Sequence, residues 1–268
     1  MSNKILSSAE LADFRRDGVI VPRYRLSARD LAQLQEHTAR LRHDNPDLLS
    51  QAFVSPHIPH PGITNDHAYW MGLARHPDLL DLMEEVIGPD IILYGSALFY
   101  KEAGTAPETS WHQDGISFPI IPLKAYIIWM AVYDSVLENG ALRVVKGTHS
   151  STYEVDLNRG AGTFAAAART IREGAFNEAD AETIEVAAGQ MILFDSMLIH
   201  GAHSNKGTRS RAGFAARYMP ATSYYDYSWA ERAPELFAPN AFARPIFLAK
   251  GVDRTGRNEF ARGQASPA

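Results

Sequence analysis

Residues 126–133 read Tyr-Ile-Ile-Trp-Met-Ala-Val-Tyr, a run in which aromatic and β-branched side chains predominate. Such side chains are typical of a β-strand because they pack well on a pleated surface. Similar short runs occupy 91–94, 97–100, 141–145, 183–186, 191–194 and 212–219. Many short strands separated by turns predict a β-barrel or a two-sheet jelly roll.

The first ninety residues have a helical pattern instead. Ser7 and Ser8 precede a run that stops at Gly18, and Ser27-Ala28-Arg29-Asp30 opens a second run in the form of a capping box. His76-Pro77 leads into a third run that closes at Gly88-Pro89. We therefore expect a mainly β protein whose N-terminal helices pack against one sheet.

No boundary along the chain separates two domains. We expect a single domain over 1–268, with a helical part over about 1–90, a core over about 91–220 and a C-terminal extension over about 221–268. A chain of 268 residues is long enough to bury a substantial core without a disulfide or a structural metal.

The composition excludes several classes of function. The net charge of −5 argues against nucleic acid or an anionic membrane as the main partner. The absence of cysteine removes thiolate zinc sites, iron–sulfur clusters, cysteine nucleophiles and disulfides. No segment reaches the ~20 apolar residues of a membrane span, and the N-terminus lacks the apolar run of a signal peptide. The expected compartment is the cytoplasm, and the oligomeric state is left open.

The strongest chemical signal is Trp111-His112-Gln113-Asp114-Gly115. In a strand, residues i and i+2 project from the same face, so His112 and Asp114 can converge on one metal ion. His200 ends an apolar run and offers a third ligand from a distant strand. Two histidines and one carboxylate form the facial triad that leaves three positions open on Fe(II).

A basic residue follows the third ligand at the start of the next strand. Arg211 lies eleven residues beyond His200, and its planar guanidinium suits bidentate pairing with a carboxylate. Arg209 is the competing candidate, because strand alternation turns both arginines toward the same side, with Gly213, Ala215 and Arg217. The pattern alone leaves the two arginines open.

These residues resemble the phytanoyl-CoA dioxygenase family of Fe(II)- and 2-oxoglutarate-dependent oxygenases. The matching segments fall in order between about 90 and 220: Phe99-Tyr100-Lys101, Trp111 to Gly115, Trp129 to Val132, Glu138 to His149, His200-Gly201 and Arg211. The resemblance implies a double-stranded β-helix core, the cupin-like jelly roll. It also implies that O2 and 2-oxoglutarate are consumed to give succinate and CO2, with hydroxylation of an unactivated carbon.

The resemblance assigns roles residue by residue. It makes His112, Asp114 and His200 the iron ligands and selects Arg211 as the anchor of 2-oxoglutarate. Trp129 matches a position that lines the 2-oxoglutarate site, and Lys101 occupies a recurrent basic position whose default interpretation is an exposed lysine. Family members that halogenate replace the metal carboxylate by a small residue, so Asp114 favours a hydroxylase over a halogenase.

The substrate is expected to be a small metabolite or a natural-product intermediate. Candidate pocket residues are Trp70, Trp111, Phe118, Tyr126 and Arg217, whose aromatic members could pack an apolar skeleton or surround a quaternary ammonium. The C-terminal cations Arg244, Lys250 and Arg254 could reach an acidic group, but a solvated surface is the expectation. Residues 156 to 182 are either a surface helix with flanking loops or a lid over the pocket.

Two other functions share part of this pattern. A cupin-like metalloenzyme that does not use 2-oxoglutarate would keep the metal triad and would not need Arg211. A non-catalytic jelly-roll binding protein would take up no iron and release no succinate. The combined presence of His112, Asp114, His200 and Arg211 favours the oxygenase over both.

Overall fold

The computed structural model describes residues 4–46, 52–104, 106–156, 170–232 and 243–260. About half of the predicted lid segment 156–182, namely 157–169, lies outside these residues, so the choice between lid and surface helix is not addressed there. Within the described ranges, every helix is too short or too polar to cross a membrane.

Two facing sheets form the core. The large sheet has seven strands: β1 (Val19–Ile20), β2 (Ala52–Val54), β3 (Ile91–Lys101), β6 (Tyr126–Ala131), β11 (Met191–Asp195), β13 (Arg211–Pro220) and β15 (Phe247–Lys250). Six of them follow one another in the order β1, β11, β6, β13, β3 and β15, and β2 also pairs with β3.

The small sheet has four strands: β4 (Thr109–His112), β7 (Leu142–Val145), β10 (Glu182–Ile184) and β12 (Ile199–Ala202). Their order is β10, β7, β12 and β4.

Two further two-stranded pairs lie outside these sheets. They are β5 (Ile120–Ile121) with β14 (Tyr224–Tyr225), and β8 (Val155–Asp156) with β9 (Thr170–Ile171). All ladders between named strands are antiparallel.

The chain crosses from one sheet to the other at successive strands. β3 lies in the large sheet and β4 in the small one, β6 is followed by β7, and β11, β12 and β13 alternate in the same way. Side chains from both sheets meet between them, among them Trp129 and Ile192 from the large sheet and Val144 from the small sheet. This alternation around a shared interior is the predicted jelly roll, and the mainly β expectation is confirmed.

The N-terminal helices pack on the outer face of the large sheet, as predicted. They are α1 (Ser8–Asp17), α2 (Ala28–Asp44), α3 (His67–Ala74) and α4 (Pro77–Ile87). The short α5 (Trp229–Arg232) packs elsewhere, with Trp229 against the cluster that contains Tyr94. Leu34 of α2 and Leu79 of α4 join one apolar cluster with Phe214 of β13. Tyr218 of β13 links the large sheet to α3, because its hydroxyl donates a hydrogen bond to the carbonyl oxygen of Ala74 at 2.8 Å.

The predicted helix boundaries follow from their caps. Ser7 and Glu10 form a full capping box at the start of α1, and Gly18 ends it in the left-handed conformation with φ 74°. Ser27 accepts from the backbone N–H of Asp30 at the start of α2, and Pro77 opens α4.

Four features differ from the sequence prediction. The expected loop over 50–66 contains β2, and the chain just beyond it forms α3. The runs 91–94 and 97–100 are one strand, β3, with a register shift opposite Arg217 and Tyr218. The C-terminal extension contributes β15, which pairs with β3. β2 and β15 have only three and four residues, which is too few for a periodic pattern, so their neighbours in the sheet determine them.

Candidate metal centre

The interior end of the small sheet brings three predicted ligands together. His112 ends β4 and His200 lies on β12, and the two residues face each other across the ladder. Asp114 follows β4 at the start of a short 3-10 turn. One ligand atom from each residue lies within 4.8 Å of the others, and all three side chains are buried. His112 and Asp114 are close together as predicted, with Nε2 and Oδ1 separated by 3.4 Å, but Asp114 lies in the turn beyond β4, so the turn and not strand alternation places its carboxylate.

The backbone orients both histidines. Nδ1 of His112 lies 2.8 Å from the carbonyl oxygen of Ser110, and Nδ1 of His200 lies 3.0 Å from that of Leu198. A carbonyl oxygen can only accept, so in each ring Nδ1 carries the proton. The lone pair on each ring then sits on Nε2, which is the form that binds a metal ion.

The electrostatics favour the ligand forms of these side chains. Burial and the nearby His112 lower the pKa of His200 to about 4, so His200 is neutral at neutral pH. Burial raises the pKa of Asp114, but the hydrogen bond with His112 and the charge of Arg217 outweigh that effect and hold the pKa well below its usual range. A neutral imidazole and an ionised carboxylate are the forms that a divalent cation requires.

Arg211 begins β13 and points into the barrel. It is buried, and its guanidinium carbon lies 4.4 Å from the centre of the Trp129 ring. Nε donates to Ser135 Oγ at 3.3 Å. The Trp129 ring lies over Gly213, where an added Cβ would come within 1.8 Å of it, so only glycine allows this arrangement.

Lys101 is the cross-strand neighbour of Arg211. The two residues are paired in the β3–β13 ladder, and both line a small cleft with Phe99, Pro107 and Thr109. Nζ of Lys101 donates to the carbonyl oxygens of Pro107 and His203. Burial and the charge of Arg211 lower the pKa of Lys101 to about 7. Its default interpretation as an exposed lysine is therefore wrong.

Arg209, the competing arginine, lies outside the barrel. Its side chain is 70% exposed and approaches Asp134 at 3.9 Å. It precedes the first residue of β13, so strand alternation does not extend to it. The structure thus separates two arginines that the sequence pattern left equivalent.

Two of the predicted pocket residues lie beside the triad. Nη2 of Arg217 is 3.9 Å from Oδ2 of Asp114, and the guanidinium carbon lies 5.7 Å from the centre of the Phe118 ring. Phe118 also packs edge-on against Tyr94, with 5.2 Å between the ring centres.

The other three predicted pocket residues lie elsewhere. Trp70 is buried in the helix-facing core and stacks on Phe214. Tyr126 packs against the same cluster, because β6 turns its even-numbered residues toward the helices. Trp111 lies on the outer face of the small sheet with Val145, since it alternates with His112. An aromatic residue in a strand does not reveal which face it occupies, and that is why these three were placed in the pocket.

Three residues near Arg217 were missed or misplaced by the sequence analysis. Tyr94 is buried on the inner side of β3, and its hydroxyl has no hydrogen-bond partner among the described residues. His57 is buried in the Pro-rich segment, and its Nε2 likewise has no partner there. Arg244, expected on a solvated surface, is half-buried, and burial lowers its pKa. Nothing in the local sequence pattern identifies these positions, because long-range packing brings them together.

The chain is similar to one known protein family over most of its length. The family model described as phytanoyl-CoA dioxygenase (PhyH) matches residues 14–213. A phytanoyl-CoA dioxygenase domain-containing protein 1 homolog from Dictyostelium discoideum is 26% identical over 53% of this chain and 52% of its own length. A probable alpha-ketoglutarate-dependent hypophosphite dioxygenase from Stutzerimonas stutzeri is 24% identical over 60% of this chain and 58% of its own. The chain thus spans little more than half the length of these relatives.

Other similarities cover more of the chain. Ectoine dioxygenase from Sphingopyxis alaskensis is 24% identical over 91% of this chain and 83% of its own length. The apo structure of the non-heme monooxygenase ThoJ superposes with a TM-score of 0.70 at 22% identity, covering 94% of this chain and 86% of that one. The S. alaskensis EctD structure with 2-oxoglutarate and 5-hydroxyectoine gives 0.69 at 21% identity, covering 84% and 80%. These structures share the fold described above.

Proposed function

The chain belongs to the phytanoyl-CoA dioxygenase family, and from that premise we propose that it is a non-haem Fe(II)- and 2-oxoglutarate-dependent dioxygenase. The reaction is the hydroxylation of an unactivated carbon in a small metabolite or natural-product intermediate, with release of succinate and CO2. The whole chain acts as one domain, and the reducing cytoplasm, which keeps iron as Fe(II), is the proposed compartment.

One observation carries this proposal: the buried group of His112, Asp114 and His200 with its ligand atoms within 4.8 Å. Both imidazoles present Nε2, and Asp114 is held ionised. Two nitrogen ligands and one carboxylate on one side of an ion are the donor set of non-haem Fe(II) oxygenases. Bound Fe(II) would supply O2 activation coupled to the oxidative decarboxylation of 2-oxoglutarate.

The remaining site residues bind and orient. Arg211 offers its guanidinium to the distal carboxylate of 2-oxoglutarate, and the Trp129 ring fixes the direction of that side chain. Lys101 adds a second cation at the same end of the barrel. Apolar side chains of the interior, such as Ile127 and Leu198, keep water from the reacting atoms.

The ligand set also favours hydroxylation over halogenation. Asp114 would hold the metal as its carboxylate ligand, where halogenating relatives have a small residue, and its carboxylate is buried beside His112. We therefore expect the native protein to form hydroxylated products and no chlorinated ones in the presence of chloride, as measured by mass spectrometry of the products.

The test is an anaerobic titration of metal-free protein with Fe(II) and then with 2-oxoglutarate. We expect tight iron binding followed by the visible charge-transfer band of the 2-oxoglutarate chelate. Arg211→Met keeps the apolar length of the side chain and removes the charge, so it should bind iron normally and need far more 2-oxoglutarate to develop the band. Arg209→Met, a change of the exposed arginine, is the matched control and should behave as the wild type.

The outcomes separate the candidate functions. Iron binding without the band, with Arg211→Met equal to wild type, would replace the proposal by a cupin-like metalloenzyme. Failure to bind iron would leave a jelly-roll binding protein.

A further inference from the structure

We propose that Arg217 and Arg244, with Tyr94 and His57 beside them, form a subsite for an oxyanion of the substrate, so that the substrate is a small carboxylate or phosphonate. This inference rests on the proposed function, because it identifies the substrate class of the same active site. The two oxyanions share the chemistry that an arginine pair recognises, which is planar, charge-assisted hydrogen bonding.

Arg217 lies beside the metal ligands, which a substrate must approach in order to react. It lies on the inner face of β13, and Nη2 is 3.9 Å from Asp114, whereas a direct charge-assisted hydrogen bond would be about 2.8 Å long. Nε of Arg217 is buried and has no hydrogen-bond partner among the described residues. The guanidinium is therefore held next to the metal ligands with hydrogen-bonding capacity to spare.

Arg244 approaches the same point from the C-terminal part of the chain. A Cβ built at Gly95 would lie 3.6 Å from Nη1 of Arg244 and 3.9 Å from Cδ of Arg217, so both side chains converge there. The charge of Arg217 contributes to lowering the pKa of Arg244. Arg244 therefore adds a second positive charge on the side of Gly95 where Arg217 lies.

Two neutral polar groups complete the subsite. Tyr94 and His57 are each about 2% exposed, and the Tyr94 hydroxyl and His57 Nε2 have no partner within the described part of the chain. Both are electrostatic neighbours of Arg217. Burial lowers the pKa of His57 to about 3, so the ring is neutral. Buried polar atoms without partners are costly, and they are expected where a ligand supplies the missing hydrogen bonds.

The charges of the site leave Arg217 uncompensated. In the proposed complex, Fe(II) and Arg211 together balance Asp114 and the two carboxylates of 2-oxoglutarate, even before the charge of Lys101 is added. Arg217 then adds a positive charge inside the barrel, and Asp114, its ion-pair partner in the structure, is engaged by the metal. An anionic substrate group restores the balance, whereas a quaternary ammonium would increase the repulsion.

The test measures binding by calorimetry under anaerobic conditions, with Fe(II) and saturating 2-oxoglutarate to fill the Arg211 site. The probes are acetate, methylphosphonate and acetamide, and the larger phenylacetate, phenylphosphonate and phenylacetamide. Within each set of three probes, we expect the carboxylate or the phosphonate to bind at least about tenfold more tightly than the amide of the same set, because hydrogen bonds to charged groups are the stronger ones. The oxyanion that binds more tightly identifies the substrate group as a carboxylate or a phosphonate.

Variants show which side chains cause the preference for an oxyanion over an amide. Arg217→Met should reduce it to within about twofold, Arg217→Lys should retain part of it, and exposed Arg209→Met should leave it unchanged. Tyr94→Phe removes one hydroxyl and should weaken oxyanion binding several-fold, which gives a second reading if Arg217→Met does not fold. Equal binding of oxyanions and amides to the wild type, or a preference that survives both Arg217→Met and Tyr94→Phe, overturns the subsite.

Failure of the subsite and failure of the proposed function give different results. If the charge-transfer band forms but no oxyanion preference exists, the oxygenase stands and the subsite fails. If the band does not form, the same titration on metal-free protein still measures the preference and its dependence on Arg217.

Discussion

The two faces of strand β13 are both largely buried, and they have different roles. On the helix-facing side, Phe214 and Tyr218 are fully buried in an apolar cluster with Trp70. On the barrel side, Arg211 is 4% exposed, and Arg217 lies beside the metal ligands. Burial therefore does not distinguish a core residue from a functional one in this strand. The distinction is chemical, because one face forms apolar contacts and the other presents charged groups to a shared interior.

This difference shows how a single strand can contribute apolar packing on one face and ligand-binding side chains on the other. The helix-facing residues fix where β13 lies, and period-two alternation then sets the direction of the arginines. Changes on the barrel side should affect ligand binding more than stability, and changes on the helix side should do the reverse. The following predictions test that separation.

The largest effect on function is expected for His200→Ala on the barrel side. Loss of this ligand should lower iron affinity at least about 100-fold, since even the groups that only orient a metal ligand contribute 10–100-fold. Iron binding and succinate release measure the effect, and circular dichroism should still show the folded β protein. Near-normal iron affinity in this variant would remove His200 from the metal site.

Phe214→Ala should have the largest effect on stability. The side chain is fully buried and stacks on Trp70 at 5.2 Å, so its removal should cost about 3–5 kcal/mol of unfolding free energy. Denaturant unfolding measures the loss. Below the unfolding transition, iron affinity should stay within about twofold of the wild type, and a parallel loss of iron binding would show that the two faces are coupled.

Gly213→Ala tests the barrel side without removing a charge. The added methyl group would overlap the Trp129 ring, which must move and take the direction of Arg211 with it. We expect 2-oxoglutarate to bind about tenfold more weakly, comparable to the loss of one charge-assisted hydrogen bond, with iron affinity unchanged. If 2-oxoglutarate binding is normal, Trp129 does not position Arg211.

The last prediction concerns the pH dependence of stability. Lys101 has its pKa lowered to about 7 in the folded state, whereas an unfolded lysine has a pKa near 10.5, so between these values the unfolded chain binds more protons. Stability should therefore rise with pH from about 7 to about 10, by at most about 1.4 kcal/mol per pH unit. The comparison is with Lys101→Met, which keeps the length of the side chain and should lack this rise. Identical pH profiles for the two proteins would contradict the lowered pKa.

The sequence predicted the elements whose signals are local. The caps at Ser7 and Ser27 and the stop at Gly18 predicted the helices, and the composition of 126–133 predicted the central strand. The spacing of His112 and Asp114 predicted that the two side chains lie close together, although Asp114 lies in a turn and not in the strand. These features depend on neighbouring residues only, and a single sequence contains that information.

The sequence could not predict what depends on distant packing. Trp70, Trp111 and Tyr126 are aromatic residues near the right motifs, yet each lies on a face turned away from the site. Tyr94 lies within an apolar run that reads as core, and His57 lies in a segment that reads as loop. Only the pairing of β3 with β13 and the return of the chain near Arg244 bring these residues to Arg217.

The hydrogen bonds that orient His112 and His200 have a consequence for mutational tolerance. Each ring is held by a backbone carbonyl two residues earlier in its own strand. Substitution of any other side chain leaves that acceptor in place, provided that the strand remains paired. The surrounding pocket can therefore change its residues, and with them its substrate, while the orientation of the two imidazoles is inherited with the backbone.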